Sequence, residues 1–172
     1  FAYSLAEVVN EAAARETIAL LHDVYGQDLN TAVVARDADR DGATCQLTIA
    51  KGSAKLLAAV LRQFVDCKKE GLRDESFADA ASLQQACFGA ITSDQRGKIS
   101  RAKQKLALLL EKKCISRAVD LASAMAGQCS GDASAGASVA ADCIEARVRC
   151  RACRLFNDAD TLQHDCDLFD DN

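Results

Sequence analysis

The closing stretch CRACRLFNDADTLQHDCDLFDDN carries a CxxC pair at Cys150 and Cys153, then His164, Cys166 and six aspartates. Three chemistries use such residues. A CxxC pair cycles between dithiol and disulfide where a helix N-terminus lowers a thiol pKa. Cys150, Cys153, Cys166 and His164 are ligand types that zinc takes. In an exported chain the same sulfurs form structural bridges. Spacing ranks the three. This CxxC lies late in a helical pattern, without the strand-to-helix entry that activates a redox thiol. No histidine follows the pair, so the CxxCH haem pattern is absent, and no second CxxC completes a zinc site. Bridging is the first reading, with a metal or electron-transfer role as its alternative.

A second candidate is DADRDG. Asp37, Asp39 and Asp41 fall at the first, third and fifth positions of a calcium loop, and Gly42 at the sixth. Thr48 stands where the bidentate glutamate belongs, so a solvated acidic turn competes with calcium. No other cofactor is expected. Asp165, Asp167, Asp170 and Asp171 crowd a tail without Lys or Arg after Phe156, a composition that suits solubility or docking to a basic partner.

Charge is uneven. From Cys45 to Cys114 there are 13 basic and 7 acidic residues, inside a chain of net charge −4. Lys98, Arg101 and Lys105 share one helix face. Aromatics and a nucleic-acid fold are both missing, so no nucleic acid is expected, and a solvent-facing side is the plain reading. The acidic tail pairing with this face, within or between chains, would be a handle for self-association. His22, beside Leu21, reads as structural. No G-x-S-x-G, Walker A, H-E-x-x-H or Rossmann pattern occurs, and no enzyme is expected.

The elements that must position these residues are helices. The chain has no proline and is rich in Ala, Leu, Lys, Glu and Arg, the best helix formers. SLAE at Ser4 to Glu7 reads as a capping box. It opens a helix to about Tyr25, with Leu5, Val8, Val9, Ala12, Ile18, Leu21 and Tyr25 inward and Gly26 at its end. Asp28 caps a short helix through Val34. A long helix spans about Thr44 to Lys69, with Ala50, Ala54, Leu57, Leu61 and Phe64 as its buried stripe. A shorter one is capped at Ser76 and stopped by Gly89. Asp94 caps the next long helix, to about Cys114, with Ile99, Ala102, Leu106 and Leu109 inward. A short helix covers SRAVDLASAMAG, CSGDASAGAS is a linker, and a last helix spans about Ser138 to Phe156.

The two long helices are related. IAKGSAKLLAAVL and ISRAKQKLALLL share an Ile, a basic stretch and a Lys-Leu pair at an offset of 50, each followed by a cysteine. Paired antiparallel, they bring Cys45 to Cys114 at one end and Cys67 to the connector carrying Cys87 at the other. The prediction is two bridges, Cys45–Cys114 and Cys67–Cys87. Val139, Cys143, Ala146, Cys150 and Cys153 form one face of the last helix, toward Cys129 and Cys166. Two bridges and one remaining cysteine is the simplest accounting; spacing does not say which one remains. Nine cysteines suit an exported protein, secreted or periplasmic. The first residue is Phe1, which reads as removal of a signal peptide or as a processed fragment. Nothing approaches a membrane-spanning apolar run.

CQLTIAKGSAKLLAAVLRQFVDCKKE, GKISRAKQKLALLLEKKC, VDLASAMAGQCSG and CRACRLFNDADTLQHDCDLFDD together resemble a class of cysteine-rich predicted secreted proteins of Gram-negative environmental bacteria. The resemblance covers about residues 42–171. It implies export and cysteine-stapled modules, and no catalytic residue comes with it.

The expected architecture is an all-α, disulfide-stapled antiparallel hairpin or bundle. Residues 1–127 make a helical bundle, and 128–172 a Cys-rich helix with an acidic tail on the same core. The expected function is an exported, non-catalytic binding or structural subunit of an extracellular or periplasmic assembly. It would meet a protein partner, or a second copy, through the first helix. The alternative is a metal- or cofactor-binding protein using calcium, zinc or an electron-transfer group.

Overall fold

A computed structural model describes residues 4–169, and among these every regular element is helical. Eight α-helices follow in order: α1 (Ala6–Tyr25), α2 (Leu29–Ala32), α3 (Arg40–Arg73), α4 (Ala80–Ser93), α5 (Lys98–Lys113), α6 (Leu121–Ala124), α7 (Ser130–Ser134) and α8 (Ala137–Asp160). Single 3₁₀ turns cover Ile115–Arg117 and Cys166–Phe169.

The centre is the antiparallel pair α3 and α5. On α3 the buried residues Ile49, Gly52, Leu56, Val60 and Phe64 recur at three- and four-residue steps, the spacing that keeps one helix face on a core. On α5, Ile99, Leu106 and Leu110 do the same. Gly52 sets the approach of the two. A Cβ built there would stand 2.3 Å from Leu106 Cδ1, so the absent side chain is what lets Leu106 seat against α3. Helix α8 packs across α3 and α5, and α1 packs on α8. Phe64 stacks on Phe156 with centroids 3.8 Å apart, and Phe88 meets both at 5.4 and 6.1 Å. One apolar cluster takes residues from α1 to the last turn, so residues 128–169 share the core of residues 4–127.

Several local expectations are corrected. The α3 stripe is Ile49, Leu56, Val60 and Phe64, whereas Ala54 is exposed and Leu57 and Leu61 are half-buried. The larger β-branched and leucine side chains remove more apolar area from water than the alanines would. On α5, Leu110 is buried and Leu109 only half-buried. On α1 the core side is Ala12, Leu20, Val24 and Tyr25, while Leu5, Val8 and Ile18 face outward. Ser4 does not cap α1: its hydroxyl donates to the Asp158 carbonyl at 2.8 Å, a contact with α8 that sequence spacing does not show.

Helix α4 starts at Ala80 under a capping box of Asp79 and Ser82, not at Ser76, and runs through Gly89 to Ser93. Asp94 ends α4 in a left-handed conformation. Its carboxylate still accepts from the Ile99 and Ser100 amides at 3.2 and 2.8 Å, so it serves both helix ends. The stretch read as a linker contains α7, and Val139 is 38% exposed, off the buried face of α8. Asp28 caps α2 and Gly26 closes α1, as the residue types require.

Candidate functional site

The cysteines form a framework of four bridges: Cys45–Cys114, Cys67–Cys87, Cys129–Cys143 and Cys153–Cys166. The first joins the start of α3 to the end of α5. The second ties the last turns of α3 to α4. The α3–α5 pair is thus held directly at one end, while at the other α3 is tied to the connecting helix α4, the two bridges that antiparallel pairing predicts. Cys129, just before α7, reaches the second turn of α8 at Cys143. Cys166, in the terminal 3₁₀ turn, folds back onto Cys153. Cys150 lies between them, buried and outside the four bridges.

The CxxC is therefore split. Cys153 is joined to Cys166, and Cys150 sits in the core, so the pair is not a dithiol waiting to cycle. The four residues considered for zinc are not gathered as ligands either. His164 stacks on Phe88 at 3.9 Å, and its backbone is held by Asn157, which accepts from the His164 N–H and donates to its carbonyl. Burial pushes the imidazole pKa below its ordinary value, partly offset by the Asp165 carboxylate.

The acidic turn also resolves into structure. Asp39 is the N-cap of α3: its Oδ1 accepts from the Asp41 and Gly42 amides, both at 3.0 Å. Arg40 to Gly42 belong to the first helical turn, so Gly42 does not make the sharp bend of a calcium loop. Asp41 pairs with Arg117 at 2.5 Å, and Asp37 is exposed in the preceding turn. Among the described residues, no group of three or more His, Cys, Asp or Glu is placed to hold a metal ion. In the tail, Asp167 lies 3.5 Å from Arg154 and Asp165 accepts from the Asp167 amide. Asp170 and Asp171 lie outside the described residues.

Sequence reading missed the polar groups buried between α1 and α8. Asp23 is 2% exposed, and Arg151 grips it with two nitrogens, each at 2.7 Å. The third Arg151 nitrogen is 3.6 Å from Glu16. The Asp23 hydrogen bonds raise the Arg151 pKa further above its ordinary range. Lys68 and Asp160 form another such pair between α3 and α8. Charges of this kind fix how helices register more than they add net stability. Nothing in a one-dimensional pattern marks two charged residues 128 positions apart as partners.

Two of the grooves among the described residues flank α4. One runs between α3 and α4, over Gln63, Glu70, Phe77 and Arg96. Arg96 reaches Glu70 at 3.1 Å and Lys98 reaches Asp66 at 3.5 Å, so its carboxylates are already answered. The other is an apolar shelf of Phe88, His164, Leu168 and Phe169. Neither assembles a nucleophile with a base.

Fold and framework together define an all-α, cysteine-rich protein: an antiparallel helical pair, stapled by four disulfides and crossed by a C-terminal helix. No helix among the described residues is long and apolar enough to cross a membrane. No protein-family model, curated protein or solved structure matches the chain.

Proposed function

We propose that this chain is an exported, non-catalytic binding or structural module, secreted or periplasmic, working as a subunit of an extracellular or periplasmic assembly. The observation that carries the reading is the framework itself. Eight of nine cysteines are bridged, and disulfides in such number form and persist in oxidising compartments. The bridges tie helices to their neighbours and hold a shape, with every bridged sulfur committed to its partner. Helix α1, with Leu5, Val8 and Ile18 turned outward, supports the view that a protein partner meets that helix.

The test is isolation from native cells under alkylating conditions, with fractionation and intact mass before and after reduction. With alkylation in guanidinium, one alkyl group before reduction and nine after, in the periplasmic or extracellular fraction, is the expected result. Several alkylated cysteines before reduction, or recovery from the cytoplasm, would overturn it. Native mass and melting with and without a chelator complete the test. A stoichiometric ion whose removal lowers the melting temperature would replace the module with a metal protein.

A further inference from the structure

Two groups of cations stand out among the described residues. Arg73, Arg96, Lys98, Lys103, Arg117 and Arg149 each have a carboxylate partner. A second set is concentrated on one surface. Lys51, Lys55 and Arg62 of α3 are all exposed and, at 3.6 residues per turn, fall within about 40° of one another around the helix. Arg101, Lys105 and Lys112 of α5 are exposed and equally aligned. None of the six is in an ion pair with a described carboxylate; Arg101 donates only to the Arg96 carbonyl.

The two rows lie side by side. Gly52 faces Leu106, Asp66 faces Lys98, and Cys45 is bonded to Cys114, so α5 borders α3 on the side next to its basic row. The α5 row is likewise on the edge nearer α3. The result is one basic band along the outer face of the helical pair, turned away from α8. Exposed apolar residues border it: Leu47 (53%) and Val65 (41%) on the α3 side, Leu108 (72%) on the α5 side. Asp66 lies at one end, engaged by Lys98, and Glu111 on the far flank toward α8.

We propose that this band is a docking face for an anionic lipid bilayer surface. Two antiparallel helices lying side by side give a broad, shallow face suited to a plane. Flanking leucines and valine would sit at headgroup depth while Lys and Arg side chains reach the phosphates. Basic clusters are drawn to anionic leaflets, and the attraction fades within a Debye length. Single-stranded nucleic acid would want stacking rings, and the face has no aromatic residue. The proposal adds a partner to the binding-module reading, and it fails separately: vesicle binding is independent of where the bridges form.

The experiment is flotation of the oxidised protein with two kinds of vesicle, phosphatidylcholine alone or with phosphatidylglycerol. Binding to the anionic vesicles only is expected, falling by about tenfold or more between low salt and roughly 0.5 M. The triple variant Lys55→Glu, Arg62→Glu, Lys105→Glu should not float, whereas the Arg replacement at both lysines should. Arg36→Glu, off the band, should bind normally. Circular dichroism with intact-mass counting confirms that each variant keeps its helices and bridges. No binding to anionic vesicles, equal binding to neutral ones, or retention by the triple variant overturns the proposal. Binding to heparin or a DNA duplex without vesicle binding also overturns it.

Discussion

The Cys45–Cys114 bridge should be the most costly to lose. It joins residues 69 apart, and both cysteines are fully buried. Replacing both with alanine opens that loop in the unfolded chain. Loop-closure entropy for a separation of this size gives about 4.4 kcal/mol at 25 °C. The same relation gives about 3.3 kcal/mol for Cys67–Cys87, at a separation of 20. It gives about 2.9 kcal/mol for Cys153–Cys166, at a separation of 13. For a chain of this length, 4.4 kcal/mol corresponds to a melting point lower by about 9–18 °C. The assay is urea unfolding of the three double-alanine variants, followed by circular dichroism, with the m-value checked for two-state behaviour. The order of midpoints is the decisive quantity. If Cys153→Ala/Cys166→Ala loses as much stability as Cys45→Ala/Cys114→Ala, loop closure is not the source of the stabilisation.

Other outcomes follow from the core and its charges. Phe156→Ala removes a ring stacked on Phe64 and edge-on to Phe88, and should cost about 3–5 kcal/mol in chemical denaturation. Asp23→Ala leaves Arg151 without its bidentate partner and should cost about 3–5 kcal/mol, while a paired Asp23→Leu/Arg151→Met variant should recover much of it. His164 has a folded pKa below its unfolded value. The stability it contributes is therefore complete above the unfolded pKa and declines as pH falls from there toward the folded pKa. The pH dependence of urea midpoints in that acidic window should flatten in His164→Phe. Cys150 is 2% exposed, so maleimide should label it in guanidinium and not in the native protein.

The hairpin was legible because two signals agreed: the offset repeat set two matching helices, and cysteines lay where antiparallel pairing brings their ends together. The identity of the cysteine outside the bridges was not legible. Cys143, Cys150 and Cys153 share a face, and only the approach of Cys129 at one end of α8 and Cys166 at the other selects among them. Caps were misread where a tertiary partner competes. Ser4 has the residue pattern of a box, but its hydroxyl goes to α8. DADRDG was ambiguous for the opposite reason, since an aspartate before a helix and an aspartate in a calcium loop present the same letters; the structure shows Asp39 capping α3. The α1 stripe failed because that helix rests on α8 along a narrow strip and leaves several apolar residues outside.

Helix α3 also acts as a ruler during oxidation. Cys45 and Cys67 are the first two cysteines of the chain, and the simplest error would be to join them. They lie on one continuous helix, 22 residues apart, which at 1.5 Å per residue is about 33 Å. A disulfide needs α-carbons within about 7 Å. Once α3 has formed, that wrong pairing is out of reach, and Cys67 must wait for Cys87 and Cys45 for Cys114. The order in which helices form thus decides which bonds can be made. An oxidant acting before α3 is helical would trap the chain in a state that only thiol exchange could undo.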